Sequence, residues 1–135
     1  MTRRNLLVAS GLLLASTALA SNGIAVKRGE DGMVYGNCVP SLVIVNRSAQ
    51  TIDFLQVDVV AALRDGRERT IELRSGYRDG IPRPIAPGAT ATLRQQFDLS
   101  PLLGAPCAEV TARRVGRTIC EAGGKDCAGA VTVQP

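Results

Sequence analysis

Residues 41–74 read SLVIVNRSAQTIDFLQVDVVAALRDGRERTIELR, and this stretch decides the fold. Leu42, Val43, Ile44 and Val45 form an apolar run closed by the polar Asn46, Arg47 and Ser48. The run predicts a strand over Ser41 to Asn46, buried on both sides, followed by a turn. From Ile52 to Leu63, Leu55, Val57, Val59 and Ala61 alternate with Gln56 and Asp58, the period of a second, longer strand with those two polar side chains outward. Ile52 and Phe54 sit on the opposite parity, so a bulge or a change of sheet is expected near Phe54. Arg64, Asp65, Gly66 and Arg67 then supply a hairpin turn, because Asp-Gly tolerates the positive backbone angles such turns need. A strand over Arg69 to Arg74 follows, Ile71 and Leu73 inward, Thr70, Glu72 and Arg74 outward.

Outward from this core the same period continues. Ser75 to Gly88 holds Pro82, Pro84 and Pro87 among its glycines and predicts a long irregular loop. Thr90 to Phe97 alternates Ala91, Leu93 and Phe97 with Thr92, Arg94 and Gln96, another half-exposed strand. Leu99 to Gly104 predicts a single helical turn capped by Ser100, with Pro101 at its first helical position. Two more strands are expected, Cys107 to Val115 and Thr118 to Cys120, closed by Ala130 to Gln134. About seven short strands separated by turns predict an all-β protein, an antiparallel immunoglobulin-like β-sandwich, with a small barrel as the alternative.

Val45, Asn46, Arg47 and Ser48 end a strand in Asn-x-Ser; Ile52 and a long strand from Val57 to the Asp65-Gly66 turn follow, and Ala86, Pro87 and Gly88 precede the next strand. Over Ser41 to Phe97 this pattern resembles small bacterial exported immunoglobulin-like domains. The resemblance implies the sandwich fold and carries no catalytic residues across, because such domains mostly bind or scaffold.

The chain of 135 residues begins with an address. Arg3 and Arg4, the apolar run Leu6 to Leu14 and the small-residue triplet Ala18, Leu19 and Ala20 predict a cleaved signal peptide over residues 1–20. Thr2, Arg3, Arg4, Asn5, Leu6 and Leu7 resemble the twin-arginine export pattern, while the short length and strong hydrophobicity favour an ordinary secretory signal whose positive end the same arginines supply. Ser21 follows the cleavage position, so no cysteine there carries a lipid. The expected mature protein is periplasmic or secreted, without an integral membrane segment. It divides into an N-terminal arm and lead-in over residues 21–40 and one β-sandwich domain over 41–135. Lys27 to Gly32 reads as a turn or loose arm whose Glu30 and Asp31 lack the spaced oxygen series of a calcium loop.

Without Arg3 and Arg4 the chain keeps 14 basic against 12 acidic residues, a net of +2, which is too weak a field to imply nucleic acid. The aromatic residues are Tyr35, Tyr77, Phe54 and Phe97, too few for a base-stacking platform. Cys38, Cys107, Cys120 and Cys127 form an even set in an oxidising compartment and predict two disulfides. Of three possible pairings, Cys120 with Cys127 is favoured because Gly123 and Gly124 suit a tight hairpin between them, leaving Cys38 with Cys107. No cysteine pair has zinc-knuckle spacing, so no metal or other cofactor is expected.

The chain contains no histidine, which removes Ser-His-Asp and Cys-His catalysis. No catalytic residues are assigned and a non-enzymatic protein is expected. The nearest to a binding signal is the row Arg64, Arg67, Arg69, Arg74, Arg78 and Arg83, whose planar forks suit carboxylates. Asp65, Glu68, Glu72 and Asp79 lie among them, so a self-neutralising solvated hairpin is the plainer account. Arg113, Arg114 and Arg117 form a second group that reads as protection of a strand edge. The expected function is a binding or accessory module meeting another envelope or secreted protein through a strand edge or the arginine row. The alternative is an inhibitor of a periplasmic or extracellular hydrolase that inserts the loop Gly80 to Gly88.

Overall fold

A computed structural model describes residues 22–78, 81–96 and 101–135, with the backbone alone at 77–78 and 81–82. The export signal at 1–20, Asp79, Gly80, Phe97, Leu99 and Ser100 lie outside the described residues.

The chain is all-β. Its strands are β1 (Ile24–Arg28), β2 (Gly32–Val34), β3 (Asn37–Val39), β4 (Ser41–Asn46), β5 (Phe54–Leu63), β6 (Glu68–Arg74), β7 (Tyr77–Arg78), β8 (Ile81–Pro82), β9 (Thr90–Gln95), β10 (Val110–Ala122), β11 (Lys125–Asp126) and β12 (Val131–Gln134). Eight of them make one curled sheet in the order β11-β10-β5-β6-β9-β4-β1-β12, while β2–β3 and β7–β8 are separate hairpins. The sheet is mixed, because β1 runs antiparallel to β4 but parallel to β12, from Ile24 against Val131 to Lys27 against Gln134. The wholly antiparallel pairing read from the sequence is corrected at this one ladder. The physical reason is that Ile24 and Val26 bury their side chains and draw the supposed arm into the sheet as β1.

Period-2 alternation builds the interior. Leu55, Val57, Val59, Ala61 and Leu63 of β5, Ile71 and Leu73 of β6, Leu42 and Ile44 of β4, and Leu93 of β9 join Ile24 and Val26 in one buried cluster. β4 has the expected bounds, but it alternates, with Val43 and Val45 half-exposed rather than buried on both sides. β5 is the strand with both faces covered: Gln56 and Asp58, expected outward in solvent, are buried. Gln56 Nε2 donates to Asp58 Oδ1 at 2.7 Å and the Arg117 guanidinium lies 3.3 Å from the Asp58 carboxylate, so each buried polar group has a partner. Ile52, on the wrong parity for β5, lies outside it and bridges Ile85 instead.

Turns follow their residues. Gly66 takes φ +88° in the β5–β6 turn, and Gly123 and Gly124, at φ +58° and +75°, close the two-residue β10–β11 loop. Asn46 is fully buried; its Nδ2 donates to the carbonyls of Gln50 and Ile85, and its Oδ1 accepts from the Ser48 amide and hydroxyl. That is the work of the Asn-x-Ser segment in this fold. The two expected late strands are one, β10, which absorbs Gly116 and Arg117 as a register shift between Val115 and Thr118. Residues 101–104 are not helical; a short 3₁₀ turn at Cys107–Glu109 comes later, held by the Cys107 link to the core. The long loop after Ser75 contains the small β7–β8 hairpin. Both disulfides have the favoured pairing, Cys38 with Cys107 and Cys120 with Cys127.

Candidate recognition site

The arginine row is distributed rather than gathered. Arg64 and Arg67 sit at the β5–β6 turn, whereas Arg74 lies at the far end of β6, about 23 Å away along an extended strand. Arg69 is registered with Ala61 and Arg74 with Gln56, which puts them on opposite faces. Arg64 reaches the Ala108 carbonyl and Glu109, Arg67 the Asp65 carboxylate at 2.6 Å, and Arg74 the Glu72 carboxylate at 2.8 Å. Arg83 is exposed after β8, and the Arg78 side chain lies outside the described structure. In the loop proposed for insertion, Ile85 is buried and exchanges backbone hydrogen bonds with Ile52 at 2.8 and 2.9 Å, so it belongs to the core and not to an inserting tip.

A better-built feature precedes β4. The β2–β3 hairpin turns through Tyr35 and Gly36, at φ +48° and +75°. Tyr35 is the one non-glycine residue with positive φ among the described residues, a conformation that costs a bulky side chain about 1 kcal/mol or more. It is 94% exposed, and Met33 beside it is 54% exposed. The hairpin carrying them is fastened on several sides. Cys38 is wholly buried and joined to Cys107, its amide donates to the Ala105 carbonyl at 2.8 Å, and Asn37 Oδ1 accepts from the Gly104 amide at 2.9 Å. Asn37 Nδ2 meanwhile holds the turn itself through the Tyr35 carbonyl at 3.0 Å.

Asp31, at the foot of β2, completes the attachment. Arg113 Nη1 and Nη2 donate to its two carboxylate oxygens at 3.0 and 2.8 Å, and Arg28 Nη2 adds a bond of 2.7 Å. Arg113 is registered with Ala61, on the inner face, and its side chain is only 7% exposed. It is therefore a buried clamp, where the sequence suggested edge protection; Arg114 and Arg117 remain outside, paired with Glu68 and Asp58. Burial raises the Asp31 carboxyl, but the hydrogen bonds and charges of Arg113 and Arg28 outweigh it and hold the group below the usual carboxylate range. Asp31 also lies near the sulfurs of Cys38 and Cys107, a constellation that suggests a metal site. Those sulfurs are bonded to each other and the carboxylate is shared by two guanidinium groups, so the donor set does not fit a cation.

Between the hairpin and the outer face of β4 and β9 runs an open groove of about 570 Å³. Its apolar wall is Val34, Val39, Pro40 and Val43, and Arg94 and Thr92 stand on the β9 side. Arg94 is exposed and makes no hydrogen bond or ion pair with a described residue. None of Tyr35, Met33, Asp31 or Arg94 was singled out as a site from the sequence, although Tyr35-Gly36 between Met33-Val34 and Asn37-Cys38-Val39 is the available signal of a two-residue hairpin.

No known protein family matches the chain, and no curated protein matches it. Among solved structures, IrmA from Escherichia coli is similar in fold, with a TM-score of 0.54 and 11% sequence identity over 83% of this chain and 91% of that one. At that identity the likeness concerns the fold alone.

Proposed function

We propose that this chain is an exported, non-enzymatic binding or accessory module that meets another envelope or secreted protein through the β2–β3 hairpin. The observation that carries the reading is Tyr35: a large side chain held at positive φ and almost fully exposed, on a hairpin fixed by a disulfide and a buried ion pair. Tyrosine presents much contact area with few rotatable bonds, and a preformed hairpin loses little freedom on docking. Backbone strain at an exposed tip is a common mark of a working surface.

The curled sheet is read as an immunoglobulin-like sandwich. Its two halves, β11-β10-β5-β6 and β9-β4-β1-β12, join only where Leu73 meets Gln95 and Arg74 meets Arg94. Two disulfides suit an oxidising compartment, and among the described residues no helix is long and apolar enough to cross a membrane. A periplasmic or secreted location after cleavage near Ala20 is the accompanying proposal.

The test is site-specific photo-crosslinking in cells from positions 33 and 35, with position 111 on exposed β10 as the control. A single adduct from the hairpin positions alone, with the position-33 adduct lost in Tyr35→Asn, is expected. Equal labelling from all three positions, or a position-33 adduct that survives Tyr35→Asn unchanged, overturns the reading.

A further inference from the structure

We infer that the groove between the β2–β3 hairpin and the β4–β9 face binds the free C-terminal end of an extended polypeptide, its carboxylate on Arg94 and its last apolar side chain against Val34, Val39 and Val43. This deepens the docking reading above and rests on it for the hairpin's role.

Charge is the first argument. Arg94 stands directly opposite Arg74 in the β6–β9 register, an arrangement of like charges that is unfavourable across strands. Arg74 is relieved by Glu72 at 2.8 Å, whereas Arg94 has no counter-ion among the described residues. A carboxylate fits its planar fork with two parallel hydrogen bonds. The acidic groups of the groove set the ligand's charge. Asp31 is already shared by Arg113 and Arg28, while the exposed Glu30, whose carbonyl accepts from the Ser41 hydroxyl, disfavours a second negative group. One terminal carboxylate suits this balance better than a phosphate or an acidic run.

The second argument is the backbone. A two-residue turn makes Val34 and Asn37 a hydrogen-bonded pair and Met33 and Cys38 the wide pair, whose amides and carbonyls point away from each other. The outward Cys38 amide, donating to Ala105, agrees with this. The Met33 amide and carbonyl therefore point out along the edge of β2 that pairs with no described strand, on the rim of the groove. A polypeptide can pair with them; a fatty acid, the other source of an apolar carboxylate, cannot.

Fluorescence polarisation with N-terminally labelled tetrapeptides ending in Val, Leu or Phe, as free acids and as C-terminal amides, tests the assignment. Binding of a free acid is expected, with the amide weaker by about tenfold. Arg94→Gln should remove that difference while leaving the melting temperature unchanged or higher, since it relieves the contact with Arg74. No binding at millimolar peptide, equal binding of acid and amide, or an unaffected Arg94→Gln overturns the inference. So does octanoate binding as tightly with the same dependence on Arg94. Crosslinking from position 35 without peptide binding sinks the groove assignment alone, and peptide binding without crosslinking sinks only the hairpin reading.

Discussion

Arg113 on β10 and Asp31 ahead of β2, 82 residues apart in the chain, form a two-pronged ion pair at 3.0 and 2.8 Å with the arginine almost wholly buried. Together with the Cys38–Cys107 link it fixes the hairpin to the opposite half of the sheet.

Asp31→Asn leaves the buried Arg113 guanidinium without a counter-charge and should cost about 3 kcal/mol in urea unfolding; Arg113→Ala should cost somewhat less, because Arg28 still pairs with Asp31. The double variant should lose less than the sum of the two, which a double-mutant cycle measures.

The same pair sets an acid limit. The Asp31 carboxyl is lowered in the folded chain relative to its ordinary value of 3.8, so the folded state favours the ionised form. Its contribution is fully present above pH 3.8 and disappears as pH falls below that value and through the lowered folded one. Denaturation midpoints measured between pH 7 and pH 2 should fall more steeply for the wild type than for Asp31→Asn.

At the hairpin tip, stability and recognition should separate. Tyr35→Asn relieves a left-handed residue, because asparagine tolerates that conformation, and should raise stability by roughly 0.5 to 1 kcal/mol. Tyr35→Val, β-branched at the same φ, should lower it. Thermal melts of the two variants give the sign.

The disulfides should differ in weight. By loop entropy, the cysteines 69 residues apart contribute roughly 4 kcal/mol and those 7 apart about 2.5. Cys38→Ala/Cys107→Ala should therefore lower the urea midpoint more than Cys120→Ala/Cys127→Ala. The former should also loosen the hairpin, read as faster amide exchange at Asn37 and Cys38.

Much of the central fold was legible where one face of a strand is buried and turn residues are unambiguous. Ser41 to Asn46, the Asp65-Gly66 turn and the inward Ile71 and Leu73 could be read directly, and Gly123-Gly124 pointed to the right disulfide pairing. Local pattern failed where distant partners decide. Gln56 and Asp58 look like solvent-facing residues, and only the guanidinium of Arg117, brought over by a bulge in another strand, makes their burial tolerable. Ile24 and Val26 are too few apolar residues beside Lys27, Arg28, Glu30 and Asp31 to announce a strand; β4 and β12 on either side supply the reason. The recognition site was largely illegible for the same reason. Arg94 acquires its meaning from Arg74 across the ladder, and the arginine row seemed a unit only because strand direction is invisible in a linear text.

The parallel pairing of β1 with β12 joins Ile24 to Val131, almost the whole described chain apart. Until residues 131–134 are present, β1 is an edge strand with one row of amides and carbonyls open to any passing partner. Completion of the sheet is thus a late, long-range event, slow for its size, and a chain interrupted before Val131 would be an aggregation hazard rather than a smaller version of the same protein.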